Sequence, residues 1–522
     1  MSDTQTPTAR MQDLSEGEIK RIERASGVIV LARDGGRVFA LSATCPHAGA
    51  PLDEGAICHG RLVCPWHKAT FDLATGALLE PPALEGLQHF AVRVEGDDIH
   101  VAEVAEKAAR VPSDVSGAAD HRVFAVVGAG AAGAAACATL REHGFSGRIL
   151  LIDVETTQPY DRTALSKFVP SGELKPEDVY PLLPDGFLVT HSIEVINSRV
   201  ASLNAASRKI ETTDGETLQY DAALVATGGA PVHPDIAGLT DERVAQRVVF
   251  LRSLVDAHEL DALAQTCKRA LVIGGSFIGL ETASALRKRG IDVTVVMPQA
   301  LPFERQFGGD VARRLKRLHE ASGTRFRSES AVTSIEWRDG TLLAHLKEAE
   351  AIECDFVLVG TGVRPATAFL KGVERNQDGG VNVNGSMRVK GGDDTLYAAG
   401  DIAFVSVHGG EGMRIEHWRV AQQQGRIAAL NMAGIPTSPR IVPFFWTFHC
   451  ERRFDYIGHA QSGDWTETRT IGSLEELGFI TLYLRDDHVL AALGCNKESK
   501  MAWLAERMRE PLAVNEALRE VG

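Results

Sequence analysis

The stretch VFAVVGAGAAG, Val123 to Gly133, decides the fold. An apolar run of strand length enters a GxGxxG turn at Gly128, Gly130 and Gly133, and an Ala-rich segment of helical character follows. The glycines permit a tight turn, close backbone approach to a pyrophosphate and close helix packing, while the helix N-terminus favours phosphate charge. The next strand, Arg148 to Ile152, ends at Asp153, whose carboxylate suits the adenosine ribose hydroxyls, with Glu155 as the alternative. The same grammar returns at Ala270 to Ile273, which enters Gly274-Gly275-Ser276-Phe277-Ile278-Gly279 and is followed by Asp292 to Val296. Two dinucleotide folds therefore lie in tandem. Ser276 stands at the middle glycine of the second fingerprint and weakens it without removing it.

Outward from these motifs, Leu396 to Ala403 gives another strand and glycine turn, and Arg414 to Leu430 reads as a helix. The first nucleotide unit is thus expected to be completed after the second, as an insertion with adjacent ends. Ahead of both, Glu18 to Ala105 offers short β-branched runs broken at Asp34-Gly35-Gly36 and Gly96-Asp97-Asp98, an all-β pattern. The expected units are 1–105, a linker at 106–120 rich in Ala, Ser, Pro and Gly, a first nucleotide unit at 121–241 and 363–437, a second at 242–362, and a small α+β unit at 438–522.

A chain of 522 residues agrees with several domains, and 44% hydrophobic with 24% charged residues is a globular composition. The net charge of −14 removes the basic footprint of a general nucleic-acid binder. No apolar run approaches the roughly 20 residues of a membrane span. The polar start, Met1 to Glu18, lacks a secretory pattern, so the cytoplasm is the expected location. Eight cysteines in such a chain do not make a disulfide scaffold.

Three of those cysteines fall within CPHAGAPLDEGAICHGRLVCPWHKATFDLATG, which begins at Cys45. Cys45-Pro46-His47 and Cys64-Pro65-Trp66-His67 each pair a thiol with an imidazole. Two thiolates suit one iron and two imidazoles the other in a two-iron cluster. A Cys2His2 zinc site has the same inventory, but its finger spacing differs from these alternating pairs. The stretch closely resembles Rieske ferredoxin domains, and the resemblance covers about the first hundred residues. It implies that Cys45 and Cys64 bind one iron, and His47 and His67 the other, of a [2Fe–2S] cluster. Ala50 and Trp66 stand where high-potential relatives carry a cysteine pair, and Ala69 and Phe71 where they carry hydroxyl donors to the cluster sulfurs. Their absence implies the lower part of the Rieske potential range. Cys58 and His59 are read as packing or incidental residues.

Pro159-Tyr160-Asp161-Arg162 and Leu165-Ser166-Lys167 resemble a loop of the apoptosis-inducing-factor and oxygenase-coupled ferredoxin reductase families. Ala226-Thr227-Gly228, Tyr397-Ala398-Ala399-Gly400-Asp401 and the segment Gly360 to Pro365 resemble their closing motifs. The fold implied is multidomain: an all-β Rieske domain, two Rossmann-like α/β nucleotide-binding domains in a glutathione-reductase-like order, and the small α+β domain. The resemblance places FAD against Gly128, Gly130, Gly133, Arg162, Lys167, Ala226, Thr227, Gly228, Gly400 and Asp401, with Glu416, His417 and Trp418 nearby. It places the nicotinamide nucleotide against Gly274, Ser276, Gly279 and Gly362. Lys167, Glu281, Phe277 and Trp446 are the expected catalytic contacts, the last within Pro443-Phe444-Phe445-Trp446. Val296-Met297 ends the second nucleotide strand without the acid that favours NAD or a cation for a 2′-phosphate; NADH is the expected donor and NADPH stays open. No redox cysteine pair accompanies the flavin motifs, which disfavours disulfide reduction.

The expected activity is electron transfer from NADH through FAD to the fused cluster and on to an acceptor protein, an oxygenase component being one candidate. Two alternatives are an NADH oxidase or diaphorase with a regulatory Rieske domain, and a redox-responsive interaction protein resembling apoptosis-inducing factor. A monomer and a homodimer are both compatible with this reading, and His47 and His67 are expected at an exposed cluster edge.

Overall fold

The computed structural model describes residues 7–106, 120–406, 412–438 and 440–522. Most of the expected linker, 107–119, lies outside the described residues.

The N-terminal unit is all-β. Ile19–Arg24, Gly27–Asp34, Arg37–Ser42 and His89–Phe90 form one antiparallel sheet. Gly35 and Gly36, at φ 59° and 73°, supply the left-handed turn that joins the second and third of these strands, a conformation that glycine adopts without steric cost. In a second antiparallel sheet, Ala56–Cys58, Arg61–Val63, Thr70–Asp72 and Leu78–Glu80, the second Cys/His loop joins Arg61–Val63 to Thr70–Asp72, and the first loop lies on the connection between the two sheets.

Two parallel sheets follow. The first has the order Ile193–Asn197, Arg148–Asp153, Val123–Val127, Ala222–Val225, Leu396–Ala398, so the late strand, where Leu396 pairs with Ala223, lies beside one 173 residues earlier in the chain. The second runs Val248–Val249, Phe356–Val359, Arg269–Ile273, Asp292–Val296, Arg325–Arg327. Their central strands are continuous apolar runs because both faces are covered. Helix Ala131–Glu142 packs closely on helix Trp418–Met432: a Cβ on Gly425 would lie 2.1 Å from the Ala132 carbonyl oxygen. The alanine-rich sequence of the first helix is what lets the backbones approach.

The C-terminal unit is an antiparallel sheet, Phe444–His449, Arg452–Gly458, His488–Cys495, Gly478–Arg485, Glu467–Ser473, backed by helices Glu498–Arg507 and Val514–Val521. The first β unit docks on it. Lys68 is fully buried and its Nζ lies 2.7 Å from Asp455 Oδ2. Arg419 donates to the Lys68 carbonyl at 2.8 Å and the Pro81 carbonyl at 3.1 Å. Glu80 accepts from Arg509 at 2.7 Å and Gln423 at 2.5 Å. Ala56 and Val63 pack against Ala502 and Trp503 beside these polar contacts. Charges so far out of water persist only when paired and hydrogen-bonded, as these are. Among the described residues no helix is long and apolar enough to cross a membrane.

Candidate active site

The two Cys/His loops are closed by their own backbones. Cys45 N–H donates to the Ala50 carbonyl at 2.9 Å, and Cys64 N–H to the Ala69 carbonyl at 2.9 Å. Both cysteines are buried, and their thiols hydrogen-bond to each other. That shared proton raises the Cys45 thiol and lowers the Cys64 thiol. The imidazoles form a second pair, Nδ1 to Nδ1 at 3.1 Å, with the rings edge to face at 89°. Burial lowers both histidines from their ordinary range, strongly for His67, which Arg453 opposes further, so both are neutral and ready to ligate.

Two nitrogens on one tetrahedral metal, at bonds of about 2.0–2.1 Å, lie roughly 3.3 Å apart, close to the separation found here. Among the described residues no three ligating side chains converge on one point. The donor set is one sulfur pair and one nitrogen pair, which fits a two-iron cluster with two ligands on each iron and does not fit one zinc with four. Ala69 and Phe71 are buried with the cysteines in one apolar cluster. Cys58 is buried in its strand, where burial pushes its thiol up to about 12.

A cavity of about 1380 Å³ runs from these histidines to the first glycine turn. Such a volume exceeds the common range of about 300–1,000 Å³ for small-ligand pockets and suits a dinucleotide. Gly128 and Gly130 form its floor. Gly128 holds φ 104°, and a Cβ there would meet the Ala226 carbonyl oxygen at 2.4 Å. A Cβ on Gly130 would meet no protein atom within 4 Å and would enter the cradle itself. Gly133 faces away from the cavity; a Cβ on it would lie only 1.8 Å from the Gly128 carbonyl oxygen, so it seats the helix. Asp153 accepts from the Ala129 N–H and braces this turn from below. Glu155 is held by Arg162 at 2.5 Å and by the Tyr160 hydroxyl at 2.6 Å. Both acids line the cavity.

The opposite wall carries Ala226, Thr227, Gly228, Gly400 and Asp401. Arg252 Nη2 lies 3.2 Å from Asp401 Oδ2, a cation on the cavity wall that no sequence motif marked. Glu416, His417 and Trp418 complete this side. Glu416 pairs with Arg414. The buried His417 Nδ1 and Gln422 Oε1 have no hydrogen-bond partner within the protein, and both side chains line the cavity. Buried polar atoms left open in this way, above a glycine cradle, fit the polar groups of a flavin nucleotide.

At the centre of the cavity Lys167 Nζ lies 3.0 Å from Glu281 Oε2, each side chain only 5% exposed. Glu281 also accepts from the Ser166 hydroxyl at 2.5 Å and the Thr447 hydroxyl at 2.6 Å. Lys167 donates to the Thr163 carbonyl at 3.1 Å and sits 4.6 Å above the Trp446 ring. The Trp446 ring centroid is 5.7 Å from that of His67. Phe277 stacks on Phe303 at 4.5 Å and meets Phe445 edge-on at 4.9 Å. His47 is exposed, as expected of a cluster edge, His67 is half-buried against Trp446, and both histidines line the cavity on its reductase side.

The glycines of the second turn do not line this cavity, although Phe277 and Ile278 of the same motif do. Gly274 holds φ 108°, and a Cβ there would lie 2.3 Å from the Gly360 carbonyl oxygen. Ser276, at φ −78°, caps the following helix by accepting from the Gly279 N–H at 3.2 Å. The serine is thus an ordinary N-cap and imposes no strained backbone. A Cβ on Gly279 would lie 2.4 Å from the Gly274 carbonyl oxygen, which reproduces the helix seat of Gly133. Met297 fills the space beneath Gly275, and Gly362 accepts from Val232 N–H at 2.9 Å.

Comparison with known proteins agrees with this geometry. Residues 123–425 match the family model of pyridine nucleotide-disulphide oxidoreductases, and residues 4–91 match the Rieske [2Fe-2S] domain. The chain is 31% identical to apoptosis-inducing factor 3 of Homo sapiens, over 98% of this chain and 84% of that protein. It is 30% identical to rhodocoxin reductase of Rhodococcus erythropolis, over 65% of this chain and 78% of that one. Among solved structures, the covalent putidaredoxin reductase–putidaredoxin complex superposes with a TM-score of 0.70 at 26% identity, covering 76% of this chain and 95% of that one. The chain belongs to the pyridine nucleotide-disulphide oxidoreductase family, as an FAD- and NAD(P)H-dependent reductase with a Rieske [2Fe-2S] domain fused ahead of it.

Proposed function

We propose that the protein passes electrons from NADH through FAD to its own Rieske cluster and from there to a separate acceptor protein, an oxygenase component being one candidate. The observation that carries this reading is the continuity of one cavity from the first glycine turn to His47 and His67, with Trp446 between Lys167 and His67. When bound, FAD accepts a hydride and returns electrons singly, and a [2Fe–2S] cluster takes them one at a time.

In this reading the chain's own residues orient and tune. Gly128 and Gly130 admit the pyrophosphate to the helix N-terminus, and Asp153 or Glu155 holds the ribose. Lys167 and Glu281 fix charge at the reacting edge, Phe277 guards the nicotinamide side, and Trp446 excludes water between flavin and cluster. Cys45 and Cys64 would hold one iron of the cluster, and His47 and His67 the other. The unit boundaries at 105, 120, 241, 362 and 437 and a cytoplasmic location belong to the same proposal. NADH is preferred because neither Val296 nor Met297 offers a cation to a 2′-phosphate. The printed names of two relatives, a rhodocoxin reductase and a reductase caught with putidaredoxin, support a separate protein as the acceptor.

The test is replacement of both His47 and His67 by alanine. Flavin bleaching by NADH is retained and cluster reduction is lost; unchanged delivery of electrons to a one-electron protein acceptor by that variant would instead support a diaphorase.

A further inference from the structure

A hydride is one proton and two electrons, so delivery of both electrons of NADH to one-electron acceptors leaves NAD⁺ and one proton per turnover. That proton arises at a site walled by buried side chains and has to reach water. The groups at hand are Lys167 and Glu281, and they face two spaces at once. On one side they line the large cavity, and on the other a separate pocket of about 230 Å³, a volume with room for several waters. Cys450, Ser284 and Ala285 wall this pocket. Its rim carries an exposed ion cluster in which Lys288 Nζ lies 2.5 Å from Glu173 and 3.0 Å from Glu451.

A third path, through the side chains behind Glu281, is closed. Glu281 accepts from Thr447, whose oxygen lies 2.9 Å from His449 Nε2, and His449 Nδ1 lies 3.2 Å from His319 Nε2. With Glu281 an acceptor, Thr447 donates to it, His449 donates to Thr447 and His319 donates to His449. The string then ends at His319 Nδ1, which is buried without a partner. Both histidines are fully buried, and burial lowers both, His449 to about 3, so neither stores the proton. This string orients Glu281 and leads nowhere.

We propose that the side pocket is the proton exit of the reaction: the Lys167–Glu281 pair hands the proton to water in the pocket, and it leaves past Glu173, Lys288 and Glu451. The inference rests on the electron route proposed above.

Two plugs from different walls, Cys450→Trp and Ala285→Phe, test it, with Cys450→Gly as the variant that widens the pocket and relieves a residue at φ 50°. A methanethiosulfonate reagent, followed by mass spectrometry, reports whether Cys450 is reached from solvent with and without FAD, independently of turnover. The wild type is labelled at Cys450, and Ala285→Phe blocks labelling. Anaerobic stopped flow with NADH and a pH-indicator dye then shows flavin bleaching within twofold of wild type, while proton release and cluster reduction slow together by about tenfold in both plugs. Cys450→Gly matches the wild type. An unreactive Cys450 in the wild type, or wild-type proton release from a protein whose labelling is blocked, overturns the proposal. A wild type that bleaches its flavin without reducing its cluster refutes the electron route instead; ferricyanide then serves as the one-electron acceptor and the same comparison decides the proton exit.

Discussion

The Trp446 indole stands between two centres, 5.7 Å from the His67 ring on one side and 4.6 Å from the Lys167 ammonium on the other. It is anchored in the edge strand Phe444–His449, and Arg453 packs on it at 5.1 Å while donating to the Trp66 carbonyl. One side chain thus belongs to the flavin cavity, the cluster loop and the domain interface together.

Trp446→Leu keeps the apolar wall but removes the ring. Flavin reduction by NADH stays within about twofold of wild type, whereas cluster reduction falls by about tenfold, a barrier change near 1.4 kcal/mol. Stopped-flow absorbance, which resolves flavin bleaching from cluster reduction, measures both.

Gly130 and Gly133 separate cofactor binding from folding. A Cβ on Gly130 meets no protein atom, so Gly130→Ala folds with an unchanged melting temperature and loses FAD affinity by about tenfold, read by flavin fluorescence. Gly133→Ala drives its Cβ into the Gly128 carbonyl and lowers the melting temperature of the flavin-free protein as well.

Lys68 tests the domain lock. Its ammonium is buried and paired with Asp455 at 2.7 Å, so Lys68→Met leaves the carboxylate short of a partner and costs about 3 kcal/mol in urea unfolding. Adding Asp455→Leu recovers much of this loss. Arg313→Ala, which breaks a solvent-exposed pair with Asp310, costs under about 0.5 kcal/mol.

Glu80 gives the interface an acid dependence. Burial alone raises its carboxyl, but Arg509 and Arg419 outweigh burial and hold it below the ordinary glutamate value of 4.5. A depressed folded-state value contributes stability above the unfolded value, and that contribution is lost as pH falls through the folded value. Glu80→Gln is therefore less stable than wild type at neutral pH, and the gap narrows once pH drops below about 4.5. Urea midpoints measured across pH 3–7 check the sign.

Local grammar made much of this legible. The strand–glycine–helix pattern at Val123–Gly133 needs only neighbours in sequence, and so do the two Cys/His loops, each closed by hydrogen bonds within six residues. Asp401, Glu416 and Trp418 were reachable because they belong to extended motifs. Lys68, Glu80, Arg252 and Arg419 were not. Lys68 meets its carboxylate across 387 residues, and Arg419 meets the Pro81 carbonyl across 338, contacts that leave no periodicity or spacing to read. Alone, each looks like an ordinary surface charge. The face of the β unit that docks was not legible for the same reason, because it is set by those distant pairs.

The central claim is one electron route shared by the flavin cavity and the Cys/His pairs. Anaerobic stopped-flow absorbance of the fully loaded protein mixed with NADH tests it most directly. The account predicts flavin bleaching followed by reduction of a [2Fe–2S] chromophore within the same molecule, at a rate independent of protein concentration. A flavin that bleaches while the cluster stays oxidised, or a cluster reduced only as protein concentration rises, would contradict it.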